Sequence, residues 1–450
     1  MRTSALAFGL LAAIVRANPT PTEQEPPTKR ALTAVTASGN AFWVGSDRFY
    51  VRGVDYQPGG SSSTVDPMAD TSICNRDIAE FKKLGINTVR VYEIDNSQSH
   101  DDCMTALADA GIYLILDVNT PKYSINRADP GASYNDVYLQ SVFATIDEFV
   151  KYPNTLAFFS GNEVVNDQAD TSLAAPYVKA TTRDMRKYIT ERGYRQVPVG
   201  YSAADVAANR QQLADYFNCG TDDERSDFFA FNDYSYCSTS FTESGWDQKV
   251  KNFTGYGLPI FLSEYGCIKN KRTFSEVEAL MNSEMTGVYS GGIVYQYAEE
   301  SDNPGYGLVE VSGSSVSELA DFTAYSTALS SWPAPTGDGG FTSTTNTQAC
   351  PTPDDAWLVS DTLLPAIPTG AEKYFTEGAG TGPGISGDGS QNAGGTSTGD
   401  ASPGSGSATA TASASATGKS GGSRPAPLDM ATFVVTGAVF MATLLGTMLL

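Results

Sequence analysis

Two stretches of the chain share one form. Leu156-Ala157-Phe158-Phe159 is apolar and runs directly into Ser160-Gly161-Asn162-Glu163. Leu258-Pro259-Ile260-Phe261-Leu262 runs in the same way into Ser263-Glu264-Tyr265-Gly266. Each reads as a short buried strand that ends at a carboxylate. A carboxylate at the mouth of an apolar strand is costly unless it has a task or a partner. Two such glutamates match what a retaining glycosidase needs: one general acid/base and one nucleophile, with carboxyl groups about 5–5.5 Å apart. Taken singly, either glutamate could belong to a structural ion pair. Asn162 shifts the balance for Glu163, because an amide there can hydrogen-bond a sugar 2-hydroxyl. For Glu264, Tyr265 and Arg90 could keep the carboxylate ionised. Arg90 could instead pair with Asp55 or Asp95.

Other hydrolytic chemistries lack their parts. The chain has one histidine, His100, in a polar loop, and it reads as a surface residue. A serine hydrolase would depend on that histidine alone, and no G-x-S-x-G elbow stands at the end of a strand. A zinc hydrolase would lack its histidines, and there is no C-x-x-C. No metal or cofactor is expected.

Two glutamates separated so widely in sequence must be brought together by a fold. From about residue 42 to about residue 328, strand-like runs alternate with helical ones. The expected strands are 49–54, 87–92, 112–118, the run ending at Glu163, 197–201, 228–231, 260–262 and 292–297. Helical runs at 75–84, 101–110, 135–150 and 173–191 lie between them, with Gly85, Gly111 and Gly193 as stops. Continuous apolar runs suit parallel strands buried on both faces. Eight of them over about 280 residues fit an α/β fold of the (β/α)8 type, a TIM barrel. A doubly wound sheet is the alternative, but no G-x-G-x-x-G phosphate loop follows any strand.

Active sites of such barrels lie at the C-terminal ends of the strands. Collected there are Tyr56 and Gln57, Arg90 and Tyr92, Asp117, Asn162 and Glu163, Tyr201, Asn232 and Tyr234, Glu264, Tyr295 and Tyr297. Tyrosines, amides and carboxylates dominate, which suits sugars; a phosphate site would want cations or a glycine nest. The net charge of -22, with 29 Lys+Arg, argues against a nucleic-acid partner.

The ends of the chain carry address labels. Residues 1–17 read as a secretory signal, and 18–30 as a possible pro-segment ending at Lys29-Arg30. The catalytic barrel is assigned to 31–331 and an irregular packed extension to 332–377. Residues 378–423 are rich in Gly, Ser, Ala and Thr and read as a disordered, O-glycosylated stalk. Ser420-Gly421-Gly422-Ser423, a polar spacer and an uncharged apolar run to Leu450 have the order of a GPI-attachment signal, with Ser420 as the attachment residue and 424–450 removed. An uncleaved tail anchor is the alternative. Asn252-Phe253-Thr254 is an N-glycosylation sequon.

The segments Gly53-Val54-Asp55-Tyr56-Gln57, Arg90-Val91-Tyr92, Gly161-Asn162-Glu163, Phe231-Asn232-Asp233-Tyr234 and Leu262-Ser263-Glu264-Tyr265-Gly266-Cys267 resemble glycoside hydrolase family 72. That family comprises fungal GPI-anchored β-1,3-glucanosyltransferases. The resemblance implies Glu163 as acid/base and Glu264 as nucleophile. It implies substrate contacts from Gln57, Arg90, Tyr92, Asp117, Asn162, Tyr234 and Tyr297. The implied reaction cuts a β-1,3-glucan internally and joins the new reducing end to the non-reducing end of another glucan. The implied partners are donor and acceptor glucan chains and, through the lipid, the plasma membrane; the implied location is its outer face and the cell wall. Only Cys350 lies beyond Cys267, so the sequence resembles the subgroup without a cysteine-rich carbohydrate-binding module.

Six cysteines in a secreted chain imply disulfides, with 15 possible connectivities if all pair. Cys74 and Cys103 open neighbouring helices, so a local bridge is expected. Cys237 and Cys267 follow the ends of adjacent strands at equivalent positions. Cys219 is then left for Cys350, and the family pattern agrees.

Hydrolysis and transfer share every step up to a covalent intermediate, so the residues alone do not separate them. A non-catalytic glucan-binding wall protein is the competing class. Phosphatidylinositol-specific phospholipase C is expected to release the protein from membranes. No release would contradict the anchor reading.

Overall fold

The computed structural model describes residues 32–409, apart from 61–62, 361–362 and 403. The expected leader, the Lys29-Arg30 pair, Ser420 and the 424–450 tail lie outside the described residues.

Eight parallel strands close into a barrel: β1 (Val51–Asp55), β2 (Thr88–Val91), β3 (Tyr113–Asp117), β4 (Thr155–Asn162), β5 (Val199–Ala204), β6 (Phe228–Asn232), β7 (Ile260–Tyr265) and β8 (Tyr289–Val294). Each pairs with its sequence neighbour, and β8 closes on β1 with Val294 opposite Val54. The principal helices are α1 (Thr71–Leu84), α2 (Asp101–Asp109), α3 (Asp136–Phe149), α4 (Ala175–Glu191), α5 (Arg210–Phe217), α6 (Trp246–Phe253), α7 (Glu276–Leu280) and α8 (Ala320–Ser331). Helix ends follow local chemistry. Asp70 accepts from the Ser72 and Ile73 amides at the start of α1, and Gly85 closes that helix in the left-handed region at φ 81°.

Alternation along the strands divides the core in two. Val54, Val89, Val91, Leu114, Leu116 and Phe158 pack outward with the helices. Val51, Ile115, Phe159, Phe228, Phe261 and Ile293 fill the barrel interior. A three-stranded antiparallel meander (Val35–Ser38, Ala41–Val44, Asp47–Phe49) contributes Val35, Phe42 and Phe49 to the interior cluster. The Phe42 ring lies 5.8 Å from Phe228 and 5.9 Å from Phe261, so an aromatic plug fills the end opposite the active-site mouth.

The structure corrects three expectations. The last strand is Tyr289–Val294 rather than 292–297. Gly291 and Gly292 lie inside it, where any side chain would meet the Val51 carbonyl or the Tyr265 ring. Ser290 and Gly291 have the composition of a turn, yet the absent side chain of Gly291 is what permits close strand approach there. Residues 378–409, expected as part of a disordered stalk, lie against α3, α4 and the loop after β3; Gln140 donates to the carbonyls of Ala379 and Thr381, and Lys187 to that of Ser405.

His100, expected at the surface, is buried. Its Nε2 meets Asp66 at 2.7 Å and its Nδ1 meets Glu148 at 3.1 Å. Both ring nitrogens face carboxylates, so both donate and the ring is an imidazolium. The clasp joins the loop after β1 to α3.

Three disulfides close in the structure: Cys74–Cys103 between α1 and α2, Cys237–Cys267 between the loops after β6 and β7, and Cys219–Cys350. The last ties the 332–377 extension to the turn after α5, where Trp357 is buried 5.3 Å from the Tyr216 ring. Asn252 is exposed on α6.

Burial opposes the charge on His100, but hydrogen bonds and attraction from Asp66 and Glu148 outweigh it and push the imidazole up to about 9. A raised histidine pKa stabilises the fold fully below the unfolded value of about 6.5, and the contribution, at most about 3 kcal/mol, is lost as pH rises through the folded value. The thermal midpoint of the wild type is therefore expected to fall between pH 7 and pH 10. His100→Gln is expected to be less stable at pH 7 and to show a flatter profile; an equal slope in both would contradict the clasp.

Candidate active site

The barrel mouth is built around Arg90. This residue lies on β2 between the outward-facing Val89 and Val91, so its side chain enters the barrel. It is 0 % exposed, with its guanidinium 4.7 Å from the Phe159 ring below and 4.3 Å from that of Tyr92. Its Nε and Nη2 donate to the two oxygens of Asp117 at 3.2 and 3.0 Å. Its Nη1 donates to Glu264 Oε1 at 3.1 Å and lies 3.8 Å from Asp55. One cation thus faces three carboxylates. Burial pushes Asp117 up to about 6 against the pull of Arg90, and it drives Asp55 well above the usual carboxylate range.

Glu264, at the end of β7, is held on both oxygens. Tyr92 donates to Oε1 at 2.8 Å and Tyr234 to Oε2 at 2.7 Å. Three donors, one of them cationic, fix the plane of its carboxyl group.

Glu163 has a different setting. It follows β4 with φ 48°, left-handed backbone that a non-glycine residue adopts at a cost. Two main-chain hydrogen bonds hold it there: its N–H donates to Ser202 at 2.9 Å, and its carbonyl accepts from Arg127 at 2.6 Å. Its carboxylate accepts from Asn232 at 2.9 Å. Burial pushes the carboxyl above its usual value, the Glu264 charge adds to this, and the Asn232 hydrogen bond opposes it.

Asn162 accepts at Oδ1 from Ser202 at 2.7 Å and from Asn232 at 3.1 Å. Its Nδ2 makes no hydrogen bond among the described residues, which leaves a donor toward the cleft. A cavity of about 410 Å³ beside it is lined by Tyr92, Asp117, Asn119, Ser124, Arg127 and Asn162.

The structure thus brings together Arg90, Tyr92, Asp117, Asn162, Glu163, Tyr234 and Glu264. Gln57 reaches the same rim, but its amide is engaged with main chain: Nε2 donates to Val65, and Oε1 accepts from the Tyr92 and Glu93 amides. Gln57 therefore ties β1 to the end of β2. Tyr297 lies elsewhere. It is fully buried in the helix layer, donates to Asp77 at 2.7 Å and packs on Tyr56 and Phe81. The displaced end of β8 explains this, and the rings that face Tyr234 are Tyr306 at 5.9 Å and Tyr295 at 6.4 Å.

Ser202 and Arg127 are not among the residues the sequence points to, and Asn232, expected at the mouth, gains a specific partner in Glu163. Asn232 stands at a strand end and was visible by position. Arg127 lies in a long loop with no periodic signal.

A closed (β/α)8 barrel with two strand-end glutamates in unlike settings is the framework of a retaining barrel glycosidase. The chain belongs to the glucanosyltransferase family, glycoside hydrolase family 72, whose model matches residues 25–332. It is 64% identical over 358 residues to 1,3-beta-glucanosyltransferase gel1 of Aspergillus fumigatus, covering 79% of this chain and 78% of that one. It is 49% identical over 394 residues to 1,3-beta-glucanosyltransferase GAS5 of Saccharomyces cerevisiae, covering 86% of this chain and 79% of that one. Among solved structures, a Saccharomyces cerevisiae Gas2p mutant in complex with laminaritetraose and laminaripentaose is similar, with a TM-score of 0.68, 36% identity and 74% of each chain covered.

Asn232 donates to the ionised form of Glu163, so its removal raises that carboxyl further. Asn232→Ala is expected to move the alkaline limb of kcat/KM to higher pH and to lower kcat by about tenfold or more. An unmoved limb would contradict the contact.

Proposed function

We propose that this protein is a retaining β-1,3-glucanosyltransferase. The observation that carries the reading is the unequal setting of the two glutamates: Glu264 is held by a buried guanidinium and two phenols, and Glu163 has its carboxyl raised by burial. In the first step the Glu264 carboxylate attacks the anomeric carbon of a glucan bound across the mouth. The glycosidic bond breaks, and Glu163 gives its proton to the departing oxygen. In the second step Glu163, now ionised, takes the proton of a 3-hydroxyl at the non-reducing end of an acceptor glucan. That oxygen attacks the anomeric carbon and releases Glu264. The two inversions give net retention.

Arg90 and Tyr92 orient Glu264 in this account, with Tyr234 on its other oxygen. The free amide donor of Asn162 suits the sugar 2-hydroxyl of the donor, and Asp117 suits a hydroxyl of the same ring. Gln57 acts through the Tyr92 backbone. The preference for a sugar over water as acceptor rests on family membership and on the names of the relatives. Their glucan substrates are taken over here as the substrate class.

For location, we read the chain as secreted and GPI-anchored on the outer face of the plasma membrane, acting on cell-wall glucan. The support is the order of segments at the two ends, six cysteines all in disulfides and an exposed sequon at Asn252. The same use of all six cysteines supports the subgroup without a cysteine-rich module.

Incubation with a reduced laminarin oligosaccharide, followed by sizing, is expected to give products longer than the input. Shorter products alone would mean hydrolysis, and no change would mean a binding protein. Glu264→Gln is expected to abolish turnover, and Glu163→Gln to lower it by about 10²–10⁴-fold, with both folds intact.

A further inference from the structure

The wall of the cleft nearest Asn162 is the loop between β3 and α3, residues 119–135. It supplies Asn119, Ser124 and Arg127 to the cavity lining, and Arg127 holds the carbonyl of Glu163. Within the cleft-side half of this loop the backbone closes one turn, Thr120 with Tyr123 in both directions; its second half is held by Asp129 to Asn126, Ser133 to Asp129 and Tyr134 to Pro130. Lys122, Tyr123, Ser124 and Asn135 are bonded to a distant part of the chain.

That part is the glycine- and serine-rich run 378–395. Lys122 Nζ donates to the carbonyls of Ile385 and Gly387 at 2.9 and 3.0 Å. The Gly389 amide donates to the Tyr123 hydroxyl at 3.2 Å, and the Ser390 amide to the Lys122 carbonyl at 3.0 Å. Gln391 donates to the Ser124 carbonyl at 3.0 Å. Asn135, which also caps α3, donates to the Ser390 carbonyl at 2.6 Å. On either side the run is anchored to Asn96, in the loop between β2 and α2, through the Gly384 amide and to Asp136, at the start of α3, through the Gly395 amide. The glycine content follows from this contact. A Cβ on Gly387 would collide with the Tyr123 hydroxyl, and one on Gly382 would collide with the Asn96 side chain. Low complexity here is the signature of close backbone approach as well as of flexibility.

We propose that residues 378–395 form a strap that positions the active-site wall. It holds Lys122, Tyr123 and Ser124 so that Arg127 reaches the Glu163 main chain and keeps the acid/base in its left-handed conformation. Lys122 and Tyr123 are positioning residues in this scheme, since neither touches the reacting carboxylates. The strap acts on the turnover step, because a small displacement of an acid/base costs rate more than it costs the fold. The kinetic part rests on the glucanosyltransferase reading; the positional part does not.

The test uses the full chain with two single variants. Gly387→Val forces the strap away from Tyr123, and Lys122→Met removes the two donors to the strap carbonyls. Hydrogen exchange is followed by mass spectrometry, and elongation of a reduced laminarin oligosaccharide is followed in parallel. In the wild type, 378–395 is expected to be protected. In both variants, exchange across 119–127 is expected to rise by about tenfold or more. The kcat for elongation is expected to fall by about ten- to a hundredfold, with a smaller change in KM. Lys122→Arg, which keeps a cationic donor, is expected to recover most of the rate. Unprotected exchange of 378–395 in the wild type would overturn the strap. Wild-type kcat in a variant whose 119–127 segment has loosened would overturn its role in positioning. If one variant does not fold, the other decides by the same readouts. If the wild type elongates nothing, the functional reading fails, and the exchange data alone decide whether the strap holds the wall.

Discussion

Inside the barrel mouth one guanidinium meets three carboxylates. Arg90 is fully buried between the rings of Phe159 and Tyr92, and it reaches Asp117, Glu264 and, at longer range, Asp55. Removing a partner from such a buried set costs about 3–5 kcal/mol, because the remaining charge is left uncompensated. The arrangement needs a dry floor, which the interior phenylalanines and the Phe42 plug supply. It also needs strands in register, since Arg90 lies directly opposite Asp55 and Ile115 in its two neighbours. A one-residue slip of β2 would turn the guanidinium out into the helix layer.

The two glutamates are then distinguished by what surrounds them, and β6 connects the two settings. Asn232, at its end, donates to Glu163; Tyr234, two residues on, donates to Glu264. Between them Asp233 is bonded to Lys249 of α6, which also holds Asp205 at the end of β5. The Cys237–Cys267 disulfide joins the loops that follow Tyr234 and Glu264. Both carboxylates therefore accept from side chains at one strand end, while β2 adds Arg90 and Tyr92 to Glu264 and the loop after β3 adds Arg127 to the Glu163 main chain.

Much of this was legible in the sequence, for definite reasons. Parallel strands buried on both faces leave continuous apolar runs, and their ends locate polar residues such as Arg90, Asn162 and Glu264 at the mouth. The failures are equally physical. Ser290 and Gly291 hide the start of β8 because they have the composition of a turn, and the resulting shift of the expected strand to 292–297 placed Tyr297 at the mouth, whereas it bonds Asp77 in the helix layer. His100 looked solvent-exposed because its carboxylate partners, Asp66 and Glu148, are remote in sequence. Residues 378–395 looked like a stalk because glycines chosen for close packing have the same composition as glycines chosen for flexibility. The contacts of Asn232 and Arg127 depend on strand order and on an irregular loop, and neither is written in a local pattern.

The central claim is that Glu264, fixed by Arg90, Tyr92 and Tyr234, carries a covalent glycosyl intermediate. A laminarioligosaccharide with fluorine at the 2-position and a good anomeric leaving group slows both steps but the second more, so the intermediate accumulates. Mass spectrometry of the treated protein is expected to show one added glycosyl unit, and peptide mapping to place it on Glu264. A label on another residue, or turnover with inverted anomeric configuration and no label, would contradict the account.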